Sequence, residues 1–412
     1  MVDVATLGYK LVAAVNRDKK LDITRYTESL SWEENRNEIS GRITFTCRNS
    51  DTKDGYLAQL VKPGCSVFVY AKDGRKKYTE VARGTVVTWT PANQSGSHDF
   101  KCVCYDMLYN LQKSQDSFFF RSGTSTKARI NKILDKWGIP IGRYEGPDKK
   151  HGKKKYQDKY LSDILLGILD DAVKKGGRKS VIRMEKGKVS IIPECSNKDI
   201  YVFKGSNINA AVRDRSTESL VTRVKVTGKS KEKGRESVVA VLDGLVKYGI
   251  RQRVYHRGSD ESIKDAKKAA QEILNEDGTA KLEVTVESPD VPYICKGDLV
   301  YVQTRGVKGY FIVCGVQHNA SSCSMSMELK ESKENNVSKN KNTIKDSYRT
   351  GDIVTFNGGM HYVSPSGQKG YSASAGKAEI TKIKSQEKHP YHLVHTDSGS
   401  NVYGWVDSGS FK

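Results

Sequence analysis

Over residues 1 to 110 apolar and polar positions alternate with the period of two that a half-buried strand requires. YKLVAAV, ISGRITFTCR, CSVFVYA, ARGTVVTWT and DFKCVCYDM are β-branched or aromatic runs, separated by turn signals such as DGR at 73 to 75 and NQSGS at 93 to 97. Five or six short strands at this spacing predict a barrel or a tightly curled sheet. The period then changes. In STKARINKILDKWGIP, Ile130, Ile133, Leu134 and Trp137 recur at helical spacing, Ser125 or Thr126 is placed to cap the start, and Gly138 with Pro140 ends the run. A second helix is predicted through SDILLGILDDAVKKGG, capped at Ser162 and stopped by Gly176 and Gly177. SVIRMEKGKVSIIPE reads as a hairpin turning at Lys186-Gly187. Residues 111–205 therefore form a small α/β insert whose apolar stripes are its own core.

From 206 to 330 strand patterns return in LVTRVKVTGKS, ESVVAVLD, KLEVTVES, GDLVYVQT, YFIVCGVQH and SMSMELKE, with one helix, SIKDAKKAAQEILNEDG, stopped at Gly278. One motif recurs. GCSVFV at 64 to 69 is followed by Tyr78 and Val81, and GDLVYV at 297 to 302 by Tyr310 and Val313, each pair three residues apart. Two domains of similar build explain the near-copies; a glycine turn entering alternating valine and aromatic residues is also how unrelated barrels begin a strand, so duplication and convergence both stand. Residues 331–347, ESKENNVSKNKNTIKDS, are polar and read as a linker. Residues 348–412 open with a third copy, GDIVTF, and their length and strand spacing predict a five-strand barrel of the SH3 type. The expected fold class is mainly β: β domains at 1–110 and 206–330 separated by the α/β insert, then a C-terminal SH3-like barrel.

A length of 412 residues agrees with several domains. The net charge of +21 raises nucleic-acid binding. However, Lys and Arg are spread along the chain, and the densest cluster, KKHGKKK (Lys149, Lys150, Lys153, Lys154 and Lys155), reads as a solvated loop with no aromatic within it for base stacking. DNA passing through a lumen, or attraction to an anionic envelope, remains open. Eight cysteines are too few for a disulfide scaffold; Cys102 and Cys104 point to the same face of a strand, about 6.6 Å apart, and read as buried thiols. No stretch is long and apolar enough for a membrane helix, and the first residues lack a signal-peptide pattern, which predicts a chain made in the cytoplasm.

Four of eight histidines, His361, His389, His392 and His395, lie in the last domain. HPYHLVH reads as a strand with His392 facing away from the other two, which argues against a metal site. Nucleophile, zinc and P-loop motifs are missing from the sequence, and no cofactor is expected. A hydrolase would have to place its catalytic group in the insert, where His151 and Cys195 are the only histidine and cysteine.

SLSWEENRNEISGRITFTCRNS, KPGCSVFVYA, ARGTVVTWT and CYDMLYNLQKSQDSFFF, followed by the STKARINKIL helix, WGIP and LSDILLGILDDAVKKGG, resemble in order and spacing the baseplate hub family of contractile phage tails and tail-like bacteriocins. This is the late control protein D and VgrG-like class, in its Gram-positive prophage branch. The resemblance extends to about residue 330. It implies a homotrimer without catalytic residues, each chain carrying two similar tube domains, with the tail tube, a spike or plug and other baseplate proteins as partners. It also implies assembly into a particle released by lysis. GGMHYVS, KAEITKI, HPYHLVHTD and VYGWVD resemble small SH3-like modules of clostridial phage tail and cell-wall-associated proteins. There Tyr362, Tyr371, Tyr391 and Tyr403 are candidates to contact cell wall or a neighbouring baseplate protein, the flat apolar faces suiting sugars and peptide stems.

Overall fold

The computed structural model describes residues 6–16, 19–74, 77–92, 99–205, 208–230, 236–258, 261–279, 281–332, 350–384 and 387–411. The NQSGS turn and nearly all of the 331–347 linker lie outside the described residues. The chain divides into two compact units, one ending at Lys339 and one spanning Asn340–Lys412.

The larger unit begins with β1 (Gly8–Asn16), β2 (Lys19–Asp22), β3 (Thr27–Glu34), β4 (Gly41–Cys47), the short β5 (Asp51–Thr52) and β6 (Gly55–Tyr56), a single helical turn α1 (Leu57–Leu60), β7 (Ser66–Lys72), β8 (Thr79–Ala92) and β9 (Asp99–Tyr105). Alternation sets the inner face. Val67, Val69 and Ala71 of β7, Ile43, Phe45 and Cys47 of β4, and Phe100, Cys102 and Cys104 of β9 are all buried while their neighbours are not, so both cysteines are core thiols.

The insert holds α2 (Leu108–Lys113), β10 (Gln115–Phe120), α3 (Thr126–Lys136), β11 (Ile141–Tyr144), β12 (Lys154–Tyr160), α4 (Leu161–Lys174), β13 (Ser180–Glu185) and β14 (Lys188–Pro193). Ser125 caps α3 by accepting the Ala128 N–H. The cap expected at Ser162 is not formed: α4 starts two residues earlier than that cap would place it, with Tyr160 in the cap position, and Ser162 is buried inside its first turn. Lys186 (φ 48°) and Gly187 (φ 79°) both adopt positive φ, as a two-residue hairpin turn requires.

The chain continues through β15 (Tyr201–Lys204), β16 (Ala210–Ser216), β17 (Arg223–Ser230), β18 (Glu236–Asp243), β19 (Gln252–His256), α5 (Ile263–Asp277), β20 (Lys281–Pro289), β21 (Leu299–Gln303), β22 (Lys308–Asn319) and β23 (Ser324–Glu331). Two cores lie here. β17 to β19 form a separate sheet under α5, whose Ala266, Ala270 and Leu274 pack on Val224 and Val226. The remaining strands join the main sheet, which runs β16-β20-β23-β22-β3-β4-β9-β8-β7-β1-β2, with β21 between β22 and β15.

The smaller unit is one sheet in the order β24-β27-β28-β29-β25-β26, from β24 (Ile353–Phe356), β25 (Gly359–Tyr362), β26 (Gly370–Ala373), β27 (Gly376–Ile383), β28 (Tyr391–His395) and β29 (Tyr403–Val406). Six strands replace the five expected, because Gly370–Ala373 folds back on β25 as a strand of its own. His389 lies ahead of β28, not within a histidine-bearing strand, and is fully buried.

Candidate functional site

The three copies of the glycine hexamer build the same turn. Gly64 (φ 91°), Gly297 (φ 91°) and Gly351 (φ 97°) all occupy the left-handed region open to glycine. The Gly64 N–H donates to Val86 O at 2.9 Å and the Val86 N–H returns to Cys65 O at 2.8 Å. Gly297 and Val313, then Val313 and Asp298, repeat this at 2.7 and 2.9 Å; Gly351 and Ile380, then Ile380 and Asp352, repeat it at 2.8 and 2.9 Å. The equivalence aligns Val313 with Val86, so the sequence pairing of Tyr78 with Tyr310 does not hold: Tyr78 precedes β8, whereas Tyr310 lies within β22.

From this turn the two larger β domains follow each other strand by strand. β7-β8-β9-β4-β3 in the first matches β21-β22-β23-β20-β16 in the second, antiparallel throughout. Each carries a register shift at the same point, between Val86 and Thr88 and between Val313 and Gly315. They differ at the outer strand, since β1 runs antiparallel to β7 but β15 runs parallel to β21.

A seam joins them. Ser31–Glu34 of β3 pairs with Val316–Asn319 of β22, Glu34 opposite Val316 and Ser31 opposite Asn319. By the matched rows Ser31–Thr44–Val103–Thr88 and Val212–Thr285–Glu328–Gly315, the equivalent segments are Val212–Arg215 of β16 and Trp89–Ala92 of β8. Neither has a second strand partner among the described residues. Val212 is 51% exposed.

Around the seam the contacts are polar and buried. The Tyr9 hydroxyl donates to Asp290 Oδ2 at 2.6 Å, and the other Asp290 oxygen faces His318 Nδ1 at 2.6 Å. His318 Nε2 lies 3.0 Å from Ile294 O, and its ring stacks on Trp32 at 4.7 Å, so a β3 side chain and a β22 side chain share one network. The Lys296 N–H donates to Glu34 Oε2 at 2.6 Å. Arg183 of the insert pairs with Asp298 at 2.5 Å, both side chains being 11% exposed. Burial pushes the Asp106 carboxyl up to about 7, against the opposing N–H bonds from Gly41 and Leu108.

The basic segment is a solvated loop only in part: Lys149, Lys150 and Lys153 lie outside any strand, with Lys150 and Lys153 exposed. Lys154 and Lys155 open β12 opposite Phe120 and Phe119, Lys154 is paired with Asp171, and Lys150 bridges to Ser125. His151 is buried, 2.8 Å from the Thr126 hydroxyl. Burial first, then the Arg129 and Lys175 charges, hold its ring down at about 4. Aromatics missing from the segment arrive from across the sheet: the Lys153 ammonium lies 5.4 Å from the Phe119 ring. Lys149 gives its carbonyl to the Thr126 N–H.

In the smaller unit the four tyrosines separate into two pairs. Tyr371 and Tyr403 are 52% and 66% exposed. Tyr362 stacks on His389 at 3.5 Å, and Tyr391 packs edge-on against Phe411 in the core. His389 is held between Asp407 (2.6 Å) and Gly367 O (3.1 Å), which positions it as a structural strut. Among the described residues no group of three or more His, Cys, Asp or Glu is placed to hold a metal, and no helix is long and apolar enough to cross a membrane.

The YQBQ-like family matches residues 30–330. The chain belongs to this family. Among solved structures, a tail protein of Neisseria meningitidis MC58 superposes with a TM-score of 0.59 at 14% identity, covering 79% of this chain and 97% of that one. The 43 kDa tail protein of prophage MuSo2 from Shewanella oneidensis gives 0.57 at 12% identity, covering 79% and 98%. No curated protein matches. The YQBQ-like chain thus has the phage tail-protein fold that the hub resemblance led one to expect.

The YQBQ-like match opens at Leu30 in β3 and closes at Lys330 in β23, so it contains both paired segments of the seam, but neither Tyr9 nor the four tyrosines of the smaller unit. Sequence reading missed the seam altogether. Its strands are some 280 residues apart, and nothing in either one's pattern points to the other.

Proposed function

We propose that this chain is a structural baseplate hub that closes as a homotrimer, joining the tail tube to a central spike. One observation carries the reading: two domains of equal strand order are joined by a seam, and the equivalent edges of β16 and β8 have no second strand partner among the described residues. Three chains, each supplying one internal seam and one β16-to-β8 seam to the next, make a closed ring of six quasi-equivalent β domains, as a heterologous contact requires. In that ring Val212 lies opposite Ala92 and Arg215 opposite Trp89, by the register of the internal seam. Open edges of this kind are otherwise a hazard for uncontrolled association. The net charge of +21 suits a lumen that passes nucleic acid. Tyr371 and Tyr403 of the smaller unit are the residues best presented to cell wall or a neighbouring baseplate protein, whereas the faces of Tyr362 and Tyr391 are already used.

Light scattering on a size-exclusion column tests the ring. The expected species has three times the 45.9 kDa chain mass, and Val212→Lys, at an exposed edge position, reduces it to a single chain with unchanged circular dichroism. A trimer that survives Val212→Lys and a matching Thr90→Lys overturns the β16-to-β8 seam; a monomer at all concentrations, also in the presence of purified tail tube, overturns the hub.

A further inference from the structure

A groove of about 560 Å³ runs along the insert, walled by Ser117–Arg121 of β10 and its following turn and by the Ala128, Lys132 and Lys136 row of α3, with Arg129 at its floor. Its character follows from three facts. First, β10 pairs with β12 alone, and no β12 residue lines the groove, so the groove follows the strand edge that has no partner among the described residues. Second, the lining has four cations and no carboxylate. Lys136 is held by Asp116 at 2.6 Å. Arg129 is 1% exposed, yet its guanidinium bonds only to neutral oxygens, the Thr124 hydroxyl at 2.8 Å and the carbonyls of Arg121 and Gly152. Burial lowers its proton affinity, so the charge is held at a cost that a nearby anion would reduce. Third, the rings offer no platform for stacked bases. Phe118 and Phe120 are buried beneath Lys136, Arg129 and Lys132, which leaves Phe119, with the Lys153 ammonium 5.4 Å from its centroid, as one exposed ring in the lining, too few for successive bases.

We infer that this groove binds an extended acidic segment of a partner protein, which adds as a strand along β10 and sets its carboxylates against Arg121 and Lys132. Strand addition supplies the backbone bonds, and the cation row supplies selectivity for acidic side chains. A nucleic acid satisfies the charge but not the strand edge. The site is built within the insert and does not depend on closure of the proposed ring.

The test uses the full chain and a labelled short peptide of alternating glutamate and threonine, with a single-stranded oligonucleotide and inorganic phosphate as competitors. Expected are saturable anisotropy that weakens as salt is raised, slowed amide exchange at residues 115–120, and a loss of about tenfold or more in affinity for Arg121→Glu and for Lys132→Glu, both at exposed positions. Lys132→Gln, with a smaller loss, serves if a reversal variant fails to fold. Binding that ignores these substitutions, no slowing of exchange in β10, or preferential occupation by the oligonucleotide or by phosphate would each overturn the assignment.

Discussion

The glycine turns at Gly64 and Gly297 share a φ of 91° and the same pair of hydrogen bonds, yet they stand in opposite surroundings. A Cβ on Gly64 meets nothing within 4 Å, whereas one on Gly297 runs into Val181 of the insert at 2.8 Å. The next residue differs accordingly. In the first domain it is Cys65, a small buried thiol near Ala14 O; in the second it is Asp298, paired with Arg183. The turn keeps what its own strands demand and differs where its neighbour differs. In the second domain it anchors the insert.

Removing that anchor should separate the copies most. Asp298→Ala leaves Arg183 buried and unpaired, so a loss of about 3–5 kcal/mol is expected in urea unfolding, against about 1 kcal/mol for Cys65→Ala. Equal losses would mean that the ion pair adds nothing specific to the second turn.

Acid should act next, on the insert itself. With its folded value at about 4 and the ordinary value at 6.5, His151 takes up its proton first in the unfolded chain. Its stabilisation is therefore complete above pH 6.5 and is lost as the pH falls towards 4, roughly 3 kcal/mol in all. Asp106, raised to about 7, slopes the other way: its contribution is complete below 3.8 and is lost as pH rises through 7. Denaturation of wild type and His151→Gln across this range isolates the histidine; a difference that does not change with pH would sink the attribution.

The smallest effects concern the glycines. Gly297→Ala adds a clash with Val181 to the left-handed strain and should cost about 2 kcal/mol or more, Gly64→Ala about 1 kcal/mol. Thermal melts of the two variants decide whether the turn or its surroundings sets the cost.

Much of this was legible in the chain because it is local. The Ser125 cap, the Lys186-Gly187 hairpin and the alternating faces of β4, β7 and β9 depend on neighbours a few residues away. The Ser162 cap failed because α4 is fixed by burial of Leu161 and Ile164 against the insert core, which overrides a polar start. Lys154 and Lys155 were misplaced because their strand exists only through pairing with Phe120 and Phe119. The Tyr9–Asp290–His318 network was out of reach for the same reason, as partners 281 residues apart leave no periodic trace.

The seam between β3 and β22 has a consequence for the order of assembly. Because both strands belong to one polypeptide, their meeting is governed by the millimolar effective concentration that a tether imposes, not by the amount of protein in the cell. Half of the joints in the proposed ring are therefore complete when the chain finishes folding. Only three joints between molecules remain, the last closing within the assembled trimer, and each arriving chain brings two domains already paired through β3 and β22.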